Sequence, residues 1–139
     1  MTNTAIQPEG WATPKGYANG IEARGRQIYV GGQVGWNAKC QFESSDLVAQ
    51  IKTALQNSVD VVRAARGSPE HIVRMTWYLK DKKEYLARLQ EIGVVYRDVM
   101  GRNYPAMSAV QIGPAATDKR QRRLSAACAR SERSRRSLT

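Results

Sequence analysis

Few side chains in this 139-residue chain have the type and spacing that chemistry requires. The single histidine, His71, opens a predicted strand, and the sequence positions no serine or cysteine nucleophile beside it. A histidine without such partners is more typical of a structural or exposed position than of a nucleophilic triad. No clustered acid/base pair is visible either, so the residues themselves do not support ribonuclease chemistry.

Metal and phosphate chemistry are equally unsupported. The two cysteines, Cys40 and Cys128, show no C-x-x-C spacing and have no histidine nearby in the sequence. This pattern predicts two reduced thiols and no metal site. The Gly31-Gly32-x-x-Gly35 run does not resemble a phosphate loop, because no helix opens directly after it.

The first elements that must position any site are extended. Residues 1–16 are polar, contain prolines and glycines, and are predicted to form a loosely held arm. Residues 17–22 and 27–34 flank a turn at 23–26, which predicts a β-hairpin. Gly31 and Gly32 stand inside the second of these strands, where glycine indicates a bulge or the close approach of another backbone or a ligand.

Two helices and two more strands follow. Apolar residues recur at helical spacing from Leu47 to Val62, with Ser44 or Ser45 as the predicted N-cap and Gly67 as the stop. Residues 71–80 alternate as a strand, with Trp77 on the more apolar face.

A second helix is predicted from the N-cap Asp81 to Gly101, and a strand covers 106–112. Gly93 interrupts this helix at a cost of about 1 kcal/mol, which indicates a packing or ligand-space role. The order β-β-α-β-α-β predicts an α+β single domain, a mixed β-sheet with two helices packed on one face.

The pattern stops after residue 113. Of the formal net charge of +10, the tail 114–139 contributes eight basic and two acidic side chains. Three interpretations stay open: a basic appendage for nucleic acid, a solvated tail without function, or translation out of frame beyond Gly113. A lost last strand would leave a sheet edge, and residues 122–127 are predicted to pair there.

Two motifs resemble the YjgF/RidA family, also called the endoribonuclease L-PSP family. They are Tyr29-Val30-Gly31-Gly32-Gln33-Val34-Gly35 and Tyr104-Pro105-Ala106-Met107-Ser108-Ala109-Val110, and the resemblance extends over about residues 15–112. The resemblance implies a chorismate-mutase-like homotrimer with clefts between subunits. It also implies hydrolysis of small enamines or imines by a bound water, without a cofactor.

The resemblance also implies the site. Tyr17, after Gly16, corresponds to the tyrosine that borders the family's cavity, where its hydroxyl would order the attacking water. The ligand-lining positions are, in this chain, Gly31, Gly32, Trp36, Gly93, Tyr104, Met107 and Ala109. Met107 stands where deaminating members carry an arginine for the substrate carboxylate, and a thioether offers no hydrogen-bond donor. The glutamate of the family's last strand has no counterpart here.

Three functions follow as alternatives. The first is a divergent imine or enamine deaminase acting on a small metabolite. The second is a non-catalytic ligand-binding or regulatory trimer. The third, less favoured, is nucleic-acid binding through the basic tail. No apolar run approaches membrane-spanning length and no signal peptide is visible, so we expect a cytoplasmic protein without a membrane partner.

Overall fold

The computed structural model describes residues 3–112, and the tail assigned to 114–139, with its predicted strand, lies outside them. The predicted α+β class is confirmed. The described strands form two small sheets, and two of the helices pack on one of these. The elements, in order, are β1 (Thr4–Ile6), β2 (Gly20–Glu22), α1 (Leu47–Ala64), a 3₁₀ turn (Pro69–His71), β3 (Arg74–Leu79), α2 (Lys82–Ala87), α3 (Leu89–Met100) and β4 (Ala106–Gln111).

The N-cap of α1 is Asp46, not Ser44 or Ser45. Its carboxylate accepts a hydrogen bond from the Ala49 amide at 3.0 Å, and the Ser44 hydroxyl accepts one from the Asp46 amide at 3.0 Å. A carboxylate at this position satisfies a free N–H group and also faces the positive end of the helix dipole.

The C-terminus of α1 closes in a Schellman motif. The Gly67 amide donates to the Val62 carbonyl at 2.9 Å and the Arg66 amide to the Arg63 carbonyl at 2.8 Å. The left-handed residue of this motif is Arg66, with φ of 67°, and not the predicted Gly67. Gly67 is still required, because a Cβ there would lie 2.6 Å from Val62 Cγ1.

Strands β3 and β4 pair in parallel and support the core. Their register places Met75 beside Met107 and Trp77 beside Ala109. Met75 and Trp77 pack against a buried cluster on α1 and α3, as the predicted alternation requires. The residues of that cluster are Leu55, Val59, Tyr96, Val99 and Met100.

The second predicted helix is divided at Arg88. This residue has φ −119° and ψ 23° between α2 and α3. Its guanidinium contacts Asp46 of α1 at 2.5 Å and Glu91 at 2.8 Å. The Arg88 side chain hydrogen-bonds to both carboxyl groups, and these contacts hold their pKa values below the usual range. The break therefore places one cation against the start of α1.

The predicted hairpin of 17–22 with 27–34 is wrong. Strand β2 pairs instead with β1 in antiparallel register, so the N-terminal arm is held by a sheet from Thr4 onwards. The Arg26 guanidinium donates a hydrogen bond to the Ala65 carbonyl at 2.5 Å and thereby connects the predicted turn at 23–26 to the end of α1. A cation at a helix C-terminus is favoured by the helix dipole.

Cys40 is disulfide-bonded, so the prediction of a reduced thiol is wrong at this position. Within residues 3–112, no helix is long and apolar enough to cross a membrane.

Candidate functional site

Tyr17 lies beside the segment that precedes β4. The Ala18 amide donates to the Pro105 carbonyl at 3.0 Å, and Ala18 forms a parallel bridge with Ala106. Ala18 is buried, whereas the Tyr17 side chain is 43% exposed. The backbone therefore fixes Tyr17 next to the 104–107 segment within one chain and leaves its side chain accessible to solvent.

Tyr104 is fixed from the core side. Its ring stacks on Tyr96, with the ring centres 5.6 Å apart and the planes at 7°. The Tyr96 hydroxyl donates to the Asn103 carbonyl, and burial raises the pKa of this hydroxyl. The hydroxyl therefore stays protonated as a donor, and the Asn103–Pro105 backbone is held where it meets Ala18. Tyr104 supports the site from the core side.

Met107 and Ala109 share one side of β4. Their register partners are Met75 and Trp77, which face the helices, so Met107 and Ala109 lie on the helix-facing side. Met107 is half-buried and Ala109 is exposed. At position 107 the chain thus presents a thioether, which donates no hydrogen bond.

Gly31 and Gly32 lie outside the strands of the structure, so the predicted bulge within a strand is wrong. Both are exposed, and a Cβ built at either position would meet no atom within 4 Å. Trp36 is half-buried and packs against Phe42, with ring centres 5.9 Å apart. The structure thus gives Trp36 an aromatic partner that the sequence did not indicate.

Asn57 of α1 positions the segment that ends at Trp36. Its amide nitrogen donates to the Val34 carbonyl at 3.1 Å and to the Trp36 carbonyl at 2.9 Å. Gly35 lies so close to the helix that a Cβ would come within 2.7 Å of the Gln50 Cα. Sequence reasoning missed Asn57, which lies off the apolar stripe of α1, so the helical pattern carried no signal for it.

Gly93 lies on α3 beneath an arginine. The atoms that an added Cβ would meet within 4 Å belong to the Arg97 guanidinium, the nearer nitrogen at 3.4 Å. No core side chain therefore demands glycine at this position. The ligand-space interpretation of Gly93 remains, and Arg97 is a neighbour that the sequence analysis did not identify.

The structure therefore brings together only some of the residues of the predicted site. Tyr17 and the 104–107 segment are brought together by backbone pairing, whereas Trp36 is held on α1 and packs with Phe42. Within the described part of the chain, no three His, Cys, Asp or Glu side chains group as metal ligands.

Comparison with known proteins places this arrangement in context. A family model described as Endoribonuclease L-PSP matches residues 9–120. The RutC family protein PH0854 from Pyrococcus horikoshii is 29% identical over 97 residues, which are 69% of this chain and 73% of that protein. The human 2-iminobutanoate/2-iminopropanoate deaminase is 29% identical over 88 residues, which are 63% of this chain and 61% of that enzyme.

Solved structures show the same fold. A protein of unknown function of the conserved Rid protein family, YyfB from Yersinia pestis, superposes with a TM-score of 0.71 at 28% identity. The match covers 81% of this chain and 87% of that one. RidA from an Antarctic Psychrobacter bacterium gives a TM-score of 0.53 at 24% identity.

Proposed function

Because the chain belongs to the endoribonuclease L-PSP family, also called YjgF/RidA, we propose that it hydrolyses the C=N bond of a small imine, including an imine that forms by tautomerisation of an enamine. The observation that carries the proposal is the backbone pairing that seats Tyr17 beside the 104–107 segment. Two of the matched relatives are named as deaminases of 2-imino acids, at 29% and 30% identity.

The proposed reaction needs one water and no cofactor. Water attacks the electrophilic imine carbon, a proton moves to nitrogen, and the C–N bond breaks to release ammonia and a carbonyl product. Tyr17 is the residue proposed to orient this water, since its hydroxyl both donates and accepts hydrogen bonds. Its exposure of 43% leaves the phenol reachable from solvent.

The ligand is proposed to lie against Tyr17, the 31–36 segment with Trp36, and Met107. Gly31, Gly32, Gly93 and Ala109 add little side-chain volume, so this surface accepts a ligand larger than a three-carbon imine. In a homotrimer, a second copy of the chain would enclose each site and exclude bulk water.

The test is hydrolysis of freshly generated 2-iminopropanoate by the full-length protein, measured as loss of imine against a no-protein control. We expect a rate clearly above the spontaneous one. An uncharged aromatic imine is assayed in parallel, because the Met107 surface suits it. If neither imine is consumed faster than in buffer, the deaminase proposal fails.

A second function is favoured by one observation. Met107 offers no donor for a carboxylate, so a site that binds a ligand without turning it over is the alternative. Saturable binding of a small ligand with no hydrolysis of either imine would establish this ligand-binding function.

A further inference from the structure

Strand β3 has one edge without a partner strand. In the described part of the chain, β3 pairs only with β4, in a parallel sheet of two strands. The Ala106 amide donates to the Val73 carbonyl at 3.0 Å, and the Ile112 amide donates to the Leu79 carbonyl at 2.9 Å. Backbone groups in a parallel ladder alternate between the two edges of a strand, so the odd-numbered residues of β3 bond to β4. The N–H and C=O groups of its even-numbered residues therefore point to the opposite edge.

Three residues present their backbone groups at this open edge. They are Arg74, Thr76 and Tyr78, and all three are exposed. Within residues 3–112, no turn, loop or side chain donates a hydrogen bond to their carbonyls or accepts one from their amides. An edge with free donors and acceptors is a template for another extended chain. The open edge of β3 is therefore a place where a further strand can be added.

Basic side chains stand at both ends of the open edge. Arg74 begins β3 and Lys80 directly follows its last residue. Both are exposed, and neither pairs with a carboxylate in the part of the chain that the structure describes. Lys82 and Lys83 add two positive charges, whereas the neighbouring Asp81 uses its carboxylate to cap α2. The charge at the edge therefore favours a negatively charged partner, because opposite charges on adjacent strands attract.

An added strand would also have a side that faces the helices. Met75 and Trp77 point to that side and pack against the core, yet both are only partly buried. Ile72, shortly before β3, is also partly buried. Apolar side chains on an added strand would cover the surface that these residues leave open. The partner that fits is thus an amphipathic strand, apolar towards the helices and acidic on its other side.

We propose that the open edge of β3 binds an extended acidic segment of another protein as an additional antiparallel strand. Backbone hydrogen bonds to Arg74, Thr76 and Tyr78 hold the segment. Two carboxylates on the segment, six residues apart, lie opposite Arg74 and Lys80 and provide selectivity. Apolar side chains at the alternate positions face the helices. The antiparallel direction is the one with the more stable pairing per residue.

The probe is an end-blocked peptide of seven residues, with Glu at its first and seventh positions, Thr at the third and fifth, and Val at the others. Isothermal titration calorimetry with the full-length protein measures its Kd, and we expect saturable binding. A peptide with Lys in place of both Glu residues should bind about fivefold to fiftyfold more weakly, because two exposed attractive contacts become repulsive. Amide hydrogen exchange, followed by NMR, should slow at Thr76 and Tyr78 when the Glu peptide is bound.

Thr76→Pro tests whether the peptide pairs with the backbone of this edge. Proline removes an N–H group that does not bond to β4, so the fold should be retained and the peptide Kd should rise by about fivefold or more. Thr76→Val is the matched control, because valine keeps the N–H group and favours an extended backbone. The Tm of each variant shows whether its fold is intact.

The double substitution Arg74→Glu with Lys80→Glu tests the charge and leaves the backbone groups in place. It should reverse the preference, so that the Lys peptide binds more tightly than the Glu peptide. This result decides the question even if Thr76→Pro does not fold.

The proposal is refuted if neither peptide binds. In that case, slow exchange at Thr76 and Tyr78 in the free protein would show that the full-length chain covers its own edge. Binding that is unchanged by a folded Thr76→Pro variant, or by the charge reversal, would take place elsewhere on the protein and would refute the proposal as well.

Discussion

At the scale of single residues, Tyr17 is held by its neighbour. The bond from the Ala18 amide to the Pro105 carbonyl fixes the backbone, and the phenol itself is left without a protein partner within residues 3–112. A side chain placed in this way is available to a water molecule or to a substrate. Its hydroxyl is therefore the first group to test.

Tyr17→Phe should lower kcat for imine hydrolysis by about tenfold to a hundredfold with little change in KM, because only the orientation of the water is lost. The measurement is steady-state kinetics on whichever imine the wild-type protein hydrolyses. Tyr29→Phe is the control, since Tyr29 is 87% exposed and donates its hydroxyl to Gln27 nearby. Equal effects of the two substitutions would argue against a specific role for Tyr17.

At the scale of elements, α1 organises two parts of the molecule through polar contacts. Asn57 holds the carbonyls of Val34 and Trp36, and Asp46 at the N-terminus of α1 binds Arg88 at the α2–α3 junction. Each contact joins segments far apart in sequence. Both are therefore expected to affect the folding of more than the helix that carries them.

Asn57→Ala leaves the carbonyls of Val34 and Trp36 without their donor. We expect a loss of about 1–3 kcal/mol in the free energy of unfolding, the cost of leaving partly buried acceptors unsatisfied. Urea denaturation measures this loss. Gln56→Ala is the matched control, because this neighbouring amide bonds only to the exposed Asp60. An unchanged midpoint for Asn57→Ala would show that the segment is held by Gly35 packing alone.

The Arg88 cluster makes stability depend on pH. Hydrogen bonds from Arg88 lower the pKa values of Asp46 and Glu91, so their contribution is present above the unfolded carboxyl pKa of about 4 and is lost as pH falls through the folded values. Arg88→Gln should lower Tm at neutral pH and flatten its fall in acid. Thermal scans from about pH 7 to about pH 2.5 would show the Tm values of the wild type and of Arg88→Gln converging as the pH falls. Lys52→Gln, which breaks an exposed pair with Asp98, should change Tm little. Parallel curves for wild type and Arg88→Gln would contradict the linkage.

Prediction from sequence was accurate where the determinants are local. Helix α1 and strand β3 follow from apolar periodicity, and both appear close to their predicted bounds. The prediction of a strand at 27–34 was wrong, because the propensity for an extended backbone does not specify which segment a strand pairs with. Strand β2 pairs with β1 instead. For the site, the role of Tyr17 was inferred from a motif and stays a prediction, whereas the contacts of Asn57 depend on which segment α1 faces, a property of the tertiary fold.

At the scale of the whole molecule, the β3–β4 sheet has one face covered by helices, and its other face is open among residues 3–112. The open face carries Thr76 and Ser108, and beyond them the apolar pair Tyr78 and Val110, which share one register position. Tyr78 is 67% exposed and Val110 is 43% exposed. An exposed aromatic beside an exposed aliphatic on a flat sheet is typical of an interaction surface. The homotrimer implied by the family resemblance remains a prediction, and this face is the surface proposed to bury itself in it.

Tyr78→Glu tests that assembly. A carboxylate placed on a surface that closes against two copies of itself would be desolvated and would face like charges, so the trimer should dissociate to monomer. Sedimentation velocity at several protein concentrations measures the change. Leu86→Glu is the matched control, an equally hydrophobic, exposed position on α2 that should leave the assembly intact. If imine hydrolysis is lost together with the trimer while Tm is retained, the site needs a neighbouring subunit. If Tyr78→Glu stays trimeric, the sheet face that carries Tyr78 and Val110 is not the interface, and another surface of the chain must form the trimer.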